Sequence, residues 1–236
     1  KLVTTAAAID NLPDLFEREF TCTGSLVVGD STITCPKAHG TLSVQDALAV
    51  SCNCTYAQLT EELGAETMKK TVDQLGLTKS LSVDGINTAK GSFSFTEGAS
   101  LAWAGIGQGE DLLNPCTMLT YMGAIANGGQ PVLPRILSKV TTAGGIQTEF
   151  HFQKSGSRML SADTAAKLTE MMHYDVVHIY GEGNYPGLDL CAKSGTAEVG
   201  AGLTPNAWFS GFTPQYTMAL WMGNDVNISL TSGSAM

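Results

Sequence analysis

Two short runs carry the residues best suited to chemistry: Ser51-Cys52-Asn53 and, far downstream, Lys193-Ser194-Gly195-Thr196. A lysine ammonium among hydroxyls suits an anion such as a carboxylate, because hydrogen bonds to a charged group are the strong ones. An asparagine amide offers both a donor and an acceptor, and a serine hydroxyl is a weak nucleophile until a base takes its proton. Taken singly, each run says little. Ser-x-Asn recurs by chance, Asn53-Cys54-Thr55 also fits a glycosylation sequon, and Lys-Ser-Gly-Thr alone reads as a strand ending in a polar turn. Specificity lies in their combination and order.

The surrounding pattern fixes where these runs sit. Ser43-Val44-Gln45-Asp46 has the form of a capping box and opens a short apolar helix. Ser51-Cys52-Asn53 falls where that helix gives out. Further helices are predicted from Thr55 to Leu63 and from Ala65 to Leu75, stopped by Gly64 and Gly76. Lys1 to Ala8 reads as the body of a helix, since Asp10, Asn11 and Pro13 follow where a signal peptide would carry a cleavage pattern. Asn114-Pro115 caps another helix with Met118, Leu119, Met122 and Ile125 on its apolar face, and Ser161 or Asp163 opens one carrying Leu168, Met171 and Met172 as core residues. Ser80 to Gly98 reads as loop or weak hairpin, Gly105-Ile106-Gly107-Gln108-Gly109 as a tight turn, and Val132 to Val140 as strand-like. Leu188, Leu190 and Ala192 alternate with Asp189 and Cys191 on the approach to Lys193, and two more strands follow at Ala207–Phe212 and Tyr216–Trp221. Helices first and antiparallel strands later give an α+β fold, read as one domain over residues 1–236.

Bulk properties narrow the function. At 236 residues the chain can bury a full core, and a net charge of −9 argues against nucleic acid as a partner. No apolar run is long enough for a membrane span. Six cysteines are present, and Cys22 and Cys35 bracket a Gly/Ser/Thr-rich hairpin. A disulfide there is a candidate worth roughly 3 kcal/mol from loop closure, in an oxidising compartment; two ordinary thiols are the alternative. Cys52 and Cys54 lack zinc partners at useful spacing, and His39, His151, His173 and His178 are scattered, so no metal site is expected.

With these runs in hand, the chain resembles the transpeptidase domain of penicillin-binding proteins, most closely the monofunctional class B type, whose serine enzymes carry Ser-x-x-Lys, Ser-x-Asn and Lys-[Thr/Ser]-Gly signatures. Lys1-Leu2-Val3-Thr4-Thr5-Ala6-Ala7-Ala8 is similar to the helix following that Ser-x-x-Lys serine, and His39-Gly40, Ile106-Gly107-Gln108-Gly109 and Ala207-Trp208-Phe209-Ser210-Gly211 match further landmarks. The resemblance implies an antiparallel sheet of about five strands flanked by helices. It also implies roles: Lys1 as base, Ser51 as proton relay, Asn53 as the amide between substrate and Lys1, and Lys193, Ser194 and Thr196 as the grip on a carboxylate, with Gly195 leaving room for substrate backbone.

The resemblance implies acyl transfer from a D-Ala-D-Ala stem peptide through a serine ester, inhibition by β-lactams, no cofactor, and work beside other cell-wall synthesis proteins on the extracytoplasmic face of a bacterial membrane. The serine itself would stand three residues before Lys1. This sequence is therefore expected to be a fragment of a membrane-anchored parent, incomplete at both ends and inactive on its own. A serine β-lactamase or β-lactam sensor is the alternative within the superfamily. It is disfavoured because no acidic residue after Ser51 has the setting of a deacylating base, Glu97 being the nearest. A fragment that only binds peptide is the alternative outside catalysis.

Overall fold

The computed structural model describes residues 1–150, 153–199, 203–224 and 229–230; His151 and the Ser232–Met236 end lie outside them. The first helix, α1 (Leu2–Asn11), is central: Leu2 and the run from Thr4 to Ala8 are buried. Small side chains let α1 approach its neighbours closely, and its buried hydroxyls are all satisfied. Thr4 Oγ1 donates to the Gly105 carbonyl at 2.8 Å, Thr5 Oγ1 shares a 2.7 Å bond with the Tyr56 hydroxyl, and Tyr121 donates to the Leu2 carbonyl at 3.1 Å. The large majority of buried polar groups in folded proteins are paired in this way.

Four short strands follow: β1 (Phe20–Cys22), β2 (Ser25–Val28), β3 (Ser31–Thr34) and β4 (Gly40–Leu42). β2 and β3 form the predicted hairpin around Gly29-Asp30, while β1 pairs with β4. The capping box at Ser43 is present, with the Ser43 hydroxyl accepting from the Asp46 N–H, and opens α2 (Val44–Ala49). α3 (Asn53–Gln74) is two helical segments joined by a kink at Gly64, where φ is 76°. Glu97 Oε1 accepts the Ala65 N–H at 2.8 Å and so caps the second segment. A minimal hairpin, β5 (Ser82–Val83) with β6 (Ile86–Asn87), leads to α4 (Ala99–Gly105), a helix the loop-like composition of this region concealed. α4 crosses α3 at Gly105, where an added Cβ would stand 1.8 Å from Thr60 Oγ1.

α5 (Pro115–Ala126) begins at its Asn114 cap. In the strand-like stretch that follows, only a single bridge at Val132 and the exposed hairpin β7 (Lys139–Thr141) with β8 (Gln147–Glu149) are formed. α6 (Ala162–Asp175) is capped by Ser161, buries Met171 and Met172, and runs on through a wider π-type turn at Val176–Gly181. The last three strands are β9 (Cys191–Val199), β10 (Leu203–Phe212) and β11 (Thr217–Gly223). They form an antiparallel sheet ordered β11-β10-β9, pairing Lys193 with Ser210 and Gly195 with Trp208. The principal sheet thus has three strands among the described residues, against the five the resemblance implies. α5 and α6 cover one face of it, an α+β arrangement, and β9 is left at an edge.

Candidate active site

Lys1, Asn53 and the turn after α4 meet in space although the chain separates them widely. Lys1 Nζ donates to Asn53 Oδ1 at 2.8 Å and to the Ile106 carbonyl at 3.2 Å. The other end of the Asn53 amide donates to the Thr34 carbonyl at 2.8 Å, and its backbone N–H to Cys35 Sγ at 3.2 Å. Asn53 is therefore held from three sides, with its amide oxygen committed to Lys1. Burial lowers the Lys1 pKa to about 8, and the positive charge of Lys193 adds to the shift, against an opposing influence from Cys35 and Cys52. Ser51 occupies the turn between α2 and α3 with φ of 55°. A non-glycine residue in that region is uncommon, and such strain gathers at functional turns.

On the sheet side, Lys193 is 8% exposed and forms an ion pair with Asp175, 0% exposed, at 3.3 Å between Nζ and Oδ2. The separation suits an ion pair better than a hydrogen bond, and among the described residues neither Asp175 oxygen finds another donor. Burial pushes the Asp175 carboxyl up to about 6, while the Lys193 charge opposes this. Ser194 is fixed by Tyr180: the tyrosine hydroxyl donates to Ser194 Oγ and accepts the Ser194 N–H, both at 2.9 Å. Gly195 and Thr196 are exposed along the β9 edge, and a Cβ at Gly195 would meet the Trp208 Cβ only at an ordinary 3.6 Å.

The structure thus joins Lys1 to Asn53, sets Ser51 two residues before that asparagine, and brings Lys193 near enough for its charge to act on Lys1. Asp175 and Tyr180 were missed from sequence. A carboxylate in the last turn of a helix runs against the helix dipole, which is the one signal that could have drawn attention to Asp175. Nothing in the spacing of Tyr180 could have done so, because the π-type turn places it. Glu97, weighed as a hydrolytic base, is occupied as the cap of Ala65.

One expectation about the cysteines is corrected. All six are free thiols, so the candidate Cys22–Cys35 disulfide is not formed. Cys35 turns instead toward the helical side, 3.9 Å from Cys52 Sγ and 3.6 Å from Cys54 Sγ. The same region brings together groups that the sequence leaves scattered: the ligand atoms of Cys22, Cys35, His39 and Cys52 all lie within 4.8 Å of one another. Pairing of β1 with β4 folds the hairpin back, so groups scattered in sequence converge.

The sequence model of the family described as penicillin-binding protein transpeptidase domain matches residues 1–229. The peptidoglycan D,D-transpeptidase PbpA of Mycobacterium tuberculosis is 28% identical over 227 residues, covering 91% of this chain and 46% of that protein. Penicillin-binding protein 1F of Bacillus subtilis is 30% identical over 203 residues, covering 84% of this chain and 26% of the relative. The chain thus spans half or less of the length of these curated relatives. Among solved structures, penicillin-binding protein A of M. tuberculosis superposes with a TM-score of 0.84 at 24% identity, over 94% of this chain and 53% of that one. Its imipenem acyl-enzyme complex superposes with a TM-score of 0.83 at 25% identity, over 97% and 55%. With the family match running through nearly its whole length, this chain belongs to the penicillin-binding protein transpeptidase domain family.

Proposed function

We propose that this domain performs serine-dependent D,D-transpeptidation on peptidoglycan stem peptides and is acylated by β-lactams. The observation that carries the reading is the part-buried hydrogen bond of Lys1 to Asn53, together with the charge of Lys193 on the edge strand β9 acting on Lys1. The nucleophile is a serine one helical turn before Lys1. A neutral Lys1 amine takes its hydroxyl proton as the oxygen attacks the carbonyl of the penultimate D-alanine. The peptide C–N bond breaks as the ester forms, and Ser51 passes a proton to the departing D-alanine amine. An acceptor amine on a neighbouring strand then displaces the serine.

Lys193, with the hydroxyls of Ser194 and Thr196, holds the terminal carboxylate. The N–H of Thr196 and that of the nucleophilic serine receive the oxyanion. Asn53 orients Lys1 and offers its second amide N–H to the substrate backbone. None of these steps calls on a cofactor. The reading puts the domain on the extracytoplasmic face of the membrane, in a parent working beside other cell-wall synthesis proteins. Among the described residues no helix is long and apolar enough to cross a bilayer.

Fluorescent penicillin tests this on a polypeptide that includes the residues preceding Lys1. Stable labelling that Lys193→Ala reduces by at least tenfold supports the proposal. Rapid turnover of the label would point to a hydrolase, and no labelling would refute both.

A further inference from the structure

The four-ligand cluster beside Asn53 plays no part in the acyl-transfer scheme. Cys22 ends β1, Cys35 follows β3, His39 precedes β4, and Cys52 caps α3, so four separate segments each send in one ligand atom. A tetrahedral zinc site with Zn–S of about 2.3 Å and Zn–N of about 2.0 Å has sulfur–sulfur edges of about 3.8 Å and sulfur–nitrogen edges of about 3.5 Å. Cys35 Sγ to Cys52 Sγ is 3.9 Å, and Cys22 Sγ to His39 Nδ1 is 3.4 Å. Two edges therefore already have the dimensions of a metal-bound set.

Burial and local bonding agree with those dimensions. Cys22 and Cys52 are 1% and 0% exposed, while Cys35 and His39 are half-buried, so the cluster is reachable from the Cys35 and His39 side. Donors point at the sulfurs as they do at metal-bound thiolates: the Asn53 N–H at Cys35, and the Thr55 N–H and hydroxyl at Cys52, at 3.5 and 3.3 Å. Three thiolates and an imidazole are soft donors that select zinc over magnesium or calcium. The ligands also tie separate pieces together, since β1–β4 and β2–β3 are two distinct two-stranded sheets packed on α3.

We propose that Cys22, Cys35, His39 and Cys52 form a structural Cys3His zinc site that pins the β1–β4 region to the Ser51–Asn53 turn. The fifth sulfur, Cys54, lies 3.6 Å from Cys35 but outside the mutually close set, and acts as a neighbour rather than a ligand. Two ligands flank the motif directly: Cys52 is its middle residue, and Cys35 accepts the Asn53 N–H. Zinc therefore holds the Asn53 backbone in the position from which its amide reaches Lys1.

The experiment measures metal in the chain purified without a polyhistidine tag under reducing, chelator-free conditions. Elemental analysis is expected to return about one zinc per chain. Cobalt exchange is expected to give thiolate-to-cobalt charge-transfer bands and the intense visible bands of tetrahedral cobalt. Cys22→Ser and His39→Ala should each lose most of the bound metal, and Cys54→Ser and Cys116→Ser should retain it. A variant that fails to fold leaves the stoichiometry and cobalt spectrum of the unaltered chain to decide. Less than a tenth of an equivalent of metal after reconstitution with zinc, an octahedral cobalt spectrum, or a disulfide among these cysteines detected by mass would overturn the proposal.

Discussion

The depressed Lys1 pKa makes a quantitative prediction about acylation and pH. An ordinary lysine near 10.5 is neutral in only about one molecule in three thousand at pH 7. With the pKa at about 8, roughly a tenth of the molecules carry a neutral amine at that pH. The acylation rate should therefore climb about tenfold per unit below pH 8 and level off above it. Asn53→Asp sharpens the test, because it replaces a neutral amide oxygen 2.8 Å from Lys1 Nζ with a carboxylate in the same place. An opposite charge at that range raises a lysine pKa by about 1–3 units, so the inflection should move toward 9 or beyond as the rate at neutral pH falls. Stopped-flow measurement of penicillin acylation from pH 6 to 10 reads both inflections. A wild-type inflection at 10 or above, or one that Asn53→Asp leaves in place, would refute Lys1 as the base.

The same shift links folding to pH. Because the folded pKa lies below the unfolded one, the unfolded chain binds more protons between about 8 and 10.5. Stability gains from this group as pH rises through that window, by about 3 kcal/mol in all, and below it the cost of a buried ammonium is fully present. Chemical denaturation at pH 7.5 and 10 would register the difference as a higher midpoint at the alkaline end. Lys193→Ala strands the Asp175 carboxylate in the core, and losing one partner of a buried pair costs about 3–5 kcal/mol; Lys193→Ala with Asp175→Ala should recover much of the lost melting temperature. Tyr180→Phe removes both contacts to Ser194, so acylation should slow by about tenfold and the melting temperature should fall by several degrees, given about 1 kcal/mol for each hydrogen bond. Gly105→Ala drives a methyl into Thr60 and should cost about 1–3 kcal/mol of stability by thermal melting.

What could be read from the sequence was mostly local. Ser43, Asn114 and Ser161 announce helix starts because their side chains bond within one turn of their own position, and the structure has all three caps. Gly64 marks a real interruption because only glycine takes its backbone angles at low cost. The β10–β11 hairpin was legible from two apolar runs around Thr213-Pro214-Gln215. Contacts between distant segments were not. Asp175 reaches Lys193, Tyr180 reaches Ser194, and His39 reaches Cys22 only through tertiary folding. The helix at α4 was hidden because Gly98 precedes it without a polar cap and a loop-like stretch leads into it. For the site, residue types and order gave the motifs, but the partners that hold each motif residue required the fold.

The open edge of β9 has a consequence for the length of ligand it reads. An extended chain laid along that edge presents equivalent amides every second residue, about 7 Å apart. Gly195 faces Trp208 across the sheet, and Lys193, two residues earlier, is buried against Asp175. One repeat therefore separates Lys193 from the open backbone at Gly195. A ligand with one amide and one carboxylate spans that single rung, while a longer peptide gains further rungs only toward the end of β9. Under the proposed function, recognition counts backbone spacing from a fixed anionic terminus, so a compact bicyclic acid and a dipeptide end become equivalent measures on one ruler.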